Sequence, residues 1–182
     1  MSTEGLGSAL LVTARNAIAK RFGLTGFPVE PVAELAEPGA TFVTLTQGGQ
    51  LRGCIGSLEA YRPLAIDVAE NALAAAFRDH RFAPLSQEEF PRTRVEVSLL
   101  TPAEPFPVTS EADALARLRP GIDGLVLSYG RRRATFLPQV WHEIASATEF
   151  LRHLKLKAGL HPEAWSAHFR VARYTAEKWV EA

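Results

Sequence analysis

The sequence predicts a mixed α+β fold in which β-hairpins and short sheets pack against helices. Three observations carry that reading. Two stretches, 41–58 and 124–137, set β-branched and aromatic runs on either side of a glycine-containing turn, the composition of antiparallel hairpins. Three others, 4–22, 62–78 and 147–157, space apolar residues by three and four, as in helices buried along one side. At 182 residues, with no internal repeat and no low-complexity tract, the chain is long enough for one domain or two small α+β lobes.

Taken in order, Leu6, Leu10, Leu11, Ala14, Ile18 and Phe22 form the apolar stripe of the first helix, with Arg15, Lys20 and Arg21 mainly opposite and Gly23 placed to end it. Pro28, Pro31 and Pro38 punctuate the following connection, which has room for a short helical turn over 31–36. Thr41–Thr46 and Leu51–Leu58 then form the first hairpin. If Gly48-Gly49 is its two-residue turn, Val43 faces Cys54, Leu45 faces Arg52 and Thr44 faces Gly53. Pro63 suits the first turn of the helix over 62–78, whose alanines predict close packing on a sheet. Ser86 and Glu89 have the spacing of an N-cap for a brief helix, and Arg94–Leu99 alternates as a strand. Ser110 caps a short helix carrying Ala114, Leu115 and Leu118, closed by Pro120-Gly121. The second hairpin joins Gly124–Tyr129 to Arg133–Leu137 around Gly130–Arg132, Pro138 opens a helical turn to Glu143, and 147–157 aligns Phe150, Leu151 and Leu154. The tail, 167–180, reads as one final strand.

Composition removes several classes of function. Twenty Lys+Arg balance twenty Asp+Glu, so no overall field draws the chain to nucleic acid or to an anionic membrane. Arg131–Arg133 reads as a solvated hairpin tip before it reads as a phosphate site. The longest apolar runs, such as Ala72–Phe77, fall well short of the roughly 20 residues of a membrane span. A single cysteine cannot form an intramolecular bridge, and no signal-peptide pattern opens the sequence, which together suit the reducing cytoplasm. No metal or cofactor is expected. His142-Glu143 begins a zinc-protease pattern, but Ser146 stands where its second histidine belongs, and His80, His153, His161 and His168 lack ligand spacing. There is no P-loop and no Gly-x-Ser-x-Gly, and Gly121-Ile-Asp-Gly124 lacks the rest of a dinucleotide fingerprint.

The chemistry that remains concentrates in Leu51-Arg-Gly-Cys-Ile-Gly56. On a regular strand Arg52 and Cys54 project to one face about 6–7 Å apart, close enough for the guanidinium to favour thiolate. Gly53 and Gly56 would let a ligand or a second backbone approach the peptide N–H groups. The competing reading makes Cys54 a small buried hydrophobe. A histidine partner for the thiol would come from elsewhere in the chain, with His80 and His142 as candidates.

Phe42-Val-Thr-Leu, Leu51–Gly56, Asp79-x-Arg81-Phe82, Val95-Glu-Val-Ser-Leu-Leu, Gly121-Ile-Asp-Gly124, Thr135-Phe-Leu-Pro-Gln-Val140 and Lys157-Ala-Gly-Leu160 occur in an order that resembles the AMMECR-type domain family, from about residue 8 to the C terminus. Prokaryotic members of that family are called AmmeMemoRadiSam system protein A. His80 departs from the proline, and Gln139 from the glutamate, common in the family. The resemblance implies one domain over 8–182 made of two interleaved lobes, with the hairpin 41–58 facing a cleft between them. It also implies association with a Memo-type protein and a radical-SAM enzyme, and supplies no reaction. Two functions are then open. In the first, Cys54 is the nucleophile or carrier thiol of an enzyme or substrate-handling subunit, Arg52 steadies the thiolate or binds an anion, and Gly53 and Gly56 offer N–H groups to an oxyanion. In the second, the segment belongs to a non-catalytic module that binds a peptide, nucleic acid or partner protein. A purely architectural corner would leave the same residues. Asp79, Arg81, Asp123 and His142 are the distant residues expected to line the site, with a loop ion pair for Asp79 and Arg81 and a turn role for Asp123 as alternatives.

Overall fold

A computed structural model describes residues 3–182, and the fold is α+β with two antiparallel sheets. The chain divides into two compact units: one comprises the chain up to Leu100 together with Glu177–Ala182, and the other is the continuous segment Thr101–Ala176.

The first unit opens with α1 (Thr3–Arg21), which Gly23 terminates at φ +73°. A 3-10 turn over Ala33–Ala36 follows, then β1 (Pro38–Gln47), β2 (Gln50–Gly56), the two-residue β3 (Arg62–Pro63) and α2 (Leu64–Phe77). After α2, Ser86 and Glu89 form the reciprocal capping bonds their spacing predicts, Ser86 N–H to Glu89 Oε2 at 2.9 Å and Glu89 N–H to Ser86 Oγ at 3.2 Å. Only a turn and a 3-10 segment, Phe90–Arg92, follow in place of the expected helix, since Pro91 has no N–H to continue one.

β4 (Arg94–Leu100) ends this part of the chain, and the sheet order is β2-β1-β4-β9, with β3 beside β1 and β9 (Ala176–Val180) at the far edge. Both long helices cover one face of this sheet. Leu10, Ala14 and Ile18 of α1 and Val68 and Ala72 of α2 meet Val43, Leu45, Val95 and Val97 in a single buried cluster. Arg15 bonds the Glu181 carboxylate, whose Oε2 also accepts Val95 N–H at 2.9 Å, so the C terminus is tied to α1 and β4.

The second unit contains β5 (Glu104–Pro105), α3 (Glu111–Arg117), β6 (Gly124–Tyr129), β7 (Arg132–Phe136), a 3-10 turn over Pro138–His142, α4 (Ala147–Lys157) and β8 (Arg170–Tyr174), with strand order β5-β8-β6-β7. Ser110 and Ser146 cap α3 and α4 through the N–H groups of Asp113 and Glu149. Its core gathers Leu125, Leu127, Phe150, Leu154 and Val171 around Trp141, whose ring stacks on Phe150 with centroids 4.0 Å apart.

The tail corrects one expectation. In place of a single strand over 167–180, the chain makes β8 and β9 in different sheets, separated by Thr175. Thr175 is held by Thr101, which donates its N–H to the Thr175 carbonyl at 2.9 Å and accepts the Thr175 N–H on Oγ1 at 2.8 Å. Those bonds replace ladder partners at the step from one sheet to the next.

Candidate functional site

The hairpin turns at Gly48-Gly49, where φ values of +55° and +79° require glycine and match the twist of the flanking strands. The register beyond the turn differs from that of a regular ladder. Gln47 pairs with Gln50 and Thr46 with Leu51, but Leu45 then pairs with Gly53, so Arg52 is the extra residue of a β-bulge. Every later partner is displaced by one: Thr44, not Val43, lies opposite Cys54, and Val43 lies opposite Ile55. The correction decides where Cys54 points. Val43, Leu45 and Ile55 belong to the helix-covered core, so Cys54 and Thr44 project to the other face, where Thr44 Oγ1 donates to Cys54 Sγ at 3.3 Å.

The glycines of the segment are demanded by packing. A Cβ on Gly53 would lie 2.2 Å from the carbonyl oxygen of Ala75, so α2 rests directly on the strand. A Cβ on Gly56 would lie 2.2 Å from the ring of Phe42, its cross-strand partner. Neither position leaves room for a ligand on that side.

β2 is an edge strand, and the N–H and C=O of Cys54 are directed away from β1. Two side chains of the loop after α2 satisfy them: Cys54 N–H donates to Asp79 Oδ2 at 2.9 Å, and Arg81 Nη2 donates to the Cys54 carbonyl at 3.3 Å. Asp79 and Arg81 are also paired with each other, Nη2 to Oδ2 at 2.7 Å and Nε to Oδ1 at 3.0 Å. The pair thus blocks the strand edge in place of another strand. Arg81 holds the Asp79 carboxyl well below the usual range, with the N–H groups of Cys54 and Arg81 adding to the effect and burial opposing it. The Arg81 guanidinium is raised in turn, chiefly by Asp79, with burial opposing and the neighbouring Cys54 adding a smaller electrostatic contribution.

Arg52 is engaged elsewhere. Its Nε and Nη2 each donate to one oxygen of Glu89 at 3.0 Å, a bidentate pair in which both side chains are largely buried. Arg52, followed by the Ser86 N–H, lowers the Glu89 carboxyl to about 2. Phe82 lies within 6 Å of both the Arg52 and the Arg81 guanidinium, at 5.9 and 5.5 Å. Beyond Gly56, buried Asp67 accepts bonds from Thr41 N–H and Oγ1, Ser57 Oγ, Arg62 Nε and Asn71 Nδ2, which fixes the far end of the segment.

Of the residues expected at the site, the structure therefore gathers Cys54, Asp79 and Arg81, with Gly53 and Gly56 as packing surfaces and Arg52 in its own ion pair. His80 is exposed next to them. Asp123 and His142 belong to the second unit. There Asp123 is fully buried and accepts the Arg119 N–H at 2.8 Å and Arg119 Nη2 at 2.6 Å, closing the turn that contains Gly121, while His142 is exposed at the end of its 3-10 turn. Thr44, Glu89 and Asp67 are the residues that sequence reasoning missed at the hairpin. Glu89 alone had a signal, its capping spacing to Ser86, and that signal points to a turn. Among the described residues no group of three or more His, Cys, Asp or Glu side chains is placed to hold a metal ion, and no helix is long and apolar enough to cross a membrane.

Comparison with known proteins agrees with this architecture. A crystal structure of an uncharacterized protein from Pyrococcus horikoshii superposes with a TM-score of 0.84 at 35% identity, covering 100% of this chain and 93% of that one. A protein of Methanothermobacter thermautotrophicus is 45% identical over 138 residues, 75% of this chain and 72% of its own length. One from Sulfolobus acidocaldarius is 37% identical over 168 residues, 88% of this chain and 74% of its own. The AMMECR1 family model matches residues 11–179. The chain belongs to the AMMECR1 family.

Proposed function

We propose that the protein is a binding component, a substrate-handling subunit that offers the Cys54 side chain and the Arg81 guanidinium beside it to a ligand or partner and works with a Memo-type protein and a radical-SAM enzyme. One observation carries the reading. The Cys54 N–H, the donor that an acyl-transfer site would aim at a developing oxyanion, already donates to the Asp79 carboxylate. An oxyanion formed there would meet a negative charge. Arg52, the cation expected beside the thiol, is largely buried in its pair with Glu89, whereas Arg81, although paired with Asp79, stays exposed next to Cys54. Arg81 is suited to anchoring a carboxylate or another acidic group. The pairing with Memo-type and radical-SAM enzymes rests on the family resemblance, and a lone cysteine suits a reducing cytoplasm.

A second reading is supported by Thr44, whose hydroxyl points at Cys54 Sγ, and by the electrostatic coupling of Cys54 to Arg81. A hydroxyl donor and a nearby cation are the surroundings that suit a carrier thiol. The two readings separate when the tagged chain is co-expressed with a Memo-type protein and the retained partner is quantified. Binding that survives Cys54→Ala and drops at least fivefold in Arg81→Gln supports the binding component. Loss in Cys54→Ala with an unchanged circular dichroism spectrum moves the function to the thiol, and retention in both variants removes the basis of the proposal.

A further inference from the structure

The first sheet has one plugged edge and one open edge. Asp79 and Arg81 block the outer side of β2 through the Cys54 backbone, whereas β9, at the far edge, has a strand on one side only. Glu181 N–H donates to the Val95 carbonyl of β4, and backbone groups alternate along a strand, so the N–H and C=O of Lys178 and Val180 point away from the sheet. No side chain or loop among the described residues bonds them.

A groove of about 640 Å³ runs along that open edge. Five consecutive residues, Lys178–Ala182, line one side of it, as they must where a strand is approached from its backbone edge. The other side is a stripe of α1 at helical spacing, Glu4, Ser8, Leu11, Val12 and Arg15. Phe27 adds a ring that is 63% exposed. Asn16 fixes the Phe27 backbone from both sides, accepting its N–H at 2.8 Å and donating to its carbonyl at 2.7 Å, and a Cβ on Gly26 would lie 2.7 Å from the Asn16 amide oxygen. A ring held in water by that clamp gains its apolar contacts only from another molecule. Charge selects the occupant. Arg15 is paired with Glu181 and Lys178 with Glu96, which leaves Glu4 as the unpaired charged side chain of the groove among the described residues. A second copy is disfavoured: antiparallel pairing of β9 with itself sets Lys178 against Lys178 in the centred register and, in the registers on either side, Glu177 against Glu177 or Glu181.

We infer that this groove takes up an extended segment of another protein as an added strand beside β9, with apolar residues at alternate positions against Leu11, Val12 and Phe27 and a lysine or arginine at Glu4. Gly7 meets Trp179 and Arg15 meets Glu181, so α1 and β9 run the same way and Glu4 lies toward the Lys178 end. An antiparallel segment therefore reaches Glu4 with its C-terminal side. The site is separate from that of Cys54, which lies at the opposite edge of the sheet.

The test uses the full chain and the peptide acetyl-Thr-Val-Thr-Val-Thr-Lys-amide, read by ¹⁵N-resolved amide spectra and hydrogen exchange. The expected result is saturable shifts at Ser8, Val12, Phe27 and Val180 with slowed exchange of the Lys178 and Val180 amides, which an added strand protects. Binding is expected to weaken about threefold in Glu4→Gln, and further when glutamate replaces the lysine of the peptide. Phe27→Ala, a change outside the core, loses at least about threefold. Val180→Pro, which removes an outward N–H and leaves the ladder to β4 in place, loses at least about tenfold. Absence of saturable shifts up to about 5 mM peptide, equal binding of the lysine and glutamate peptides, unchanged binding in Phe27→Ala, or shifts without protection of Lys178 and Val180 overturns the inference. So does a dimer in sedimentation equilibrium that Val180→Pro dissociates, since a second copy then fills the groove.

Discussion

Asp79 holds Cys54 by its backbone: the carboxylate accepts the Cys54 N–H at 2.9 Å while Arg81 donates to both carboxylate oxygens and to the Cys54 carbonyl. Removing it leaves a strand-edge N–H and a guanidinium without their acceptor. Asp79→Ala is therefore expected to lower stability by about 2 kcal/mol, the scale of a lost charge-assisted hydrogen bond with an unpaired donor left behind. Asp79→Asn, which keeps one acceptor, is expected to cost less. Urea unfolding of the two variants against wild type measures the difference, and an Asp79→Ala midpoint equal to wild type would show that the plug contributes nothing.

Acid should undo two of these contacts. Glu89 has its carboxyl lowered from 4.5 to about 2, and that of Asp79 is lowered from 3.8. A folded-state value below the unfolded one adds stability that is complete above the unfolded pKa and disappears as pH falls through the folded one. The urea midpoint is thus expected to hold steady in this respect from pH 7 to 5 and to decline between about 4.5 and 2. Glu89→Gln, which cannot ionise, should show a shallower decline. The same slope in wild type and variant would separate Glu89 from the acid response.

Gly53 and Gly48 are both glycines of the hairpin, but for different reasons. Gly53→Ala forces a methyl to within 2.2 Å of the Ala75 carbonyl oxygen, part of a helix backbone that cannot swing aside. A loss of roughly 3 kcal/mol or more is expected, as for overpacked cores. Gly48→Ala meets nothing within 4 Å and carries only the left-handed backbone penalty at φ +55°, about 1–2 kcal/mol. Thermal midpoints of the two variants should fall in that order, and a milder effect at Gly53 would contradict the close seating of α2 on β2.

Iodoacetamide labelling followed by mass spectrometry reads the environment of the single cysteine without ambiguity of site. Cys54 is half-buried, so native labelling should be slower than labelling in urea. Arg81→Gln is expected to slow the native reaction at pH 7 by roughly threefold, because the positive charge that favours thiolate is gone. Faster labelling in Arg81→Gln would mean that the guanidinium shields the sulfur more than it activates it.

The parts of this fold that were legible in the sequence are those written in local chemistry. Ser110 and Ser146 mark helix starts, Gly23 marks a helix end, and Gly48-Gly49 marks a two-residue turn, each through interactions within four residues. The bulge at Arg52 has no such signature. Its surroundings are distant in sequence, Glu89 lying 37 positions from Arg52 and Ala75 lying 22 from Gly53, so counting back from the turn misplaced every partner by one. The tail failed for a similar reason. Alternation runs through Thr175 without a glycine or proline, and only the bonds from Thr101 show that the chain changes sheets there. Cys54, Asp79 and Arg81 were legible as candidates because their residue types are reactive, whereas Thr44 gains meaning only from its place across the strand.

The Thr101–Thr175 link also bears on the order in which the chain can be completed as it is synthesised. Everything the second unit needs, from Thr101 to Ala176, is contiguous and emerges from the ribosome before Glu177–Ala182 do. The sheet carrying Cys54 is made almost entirely from earlier chain, yet its outer strand and the Glu181 carboxylate that joins Arg15 to Val95 arrive only after the second unit. The older part of the molecule must therefore wait, one edge open, through the translation of 76 residues that belong to the other unit. A stop codon just before Glu177 would spare the whole second unit and still leave the first without its closing strand.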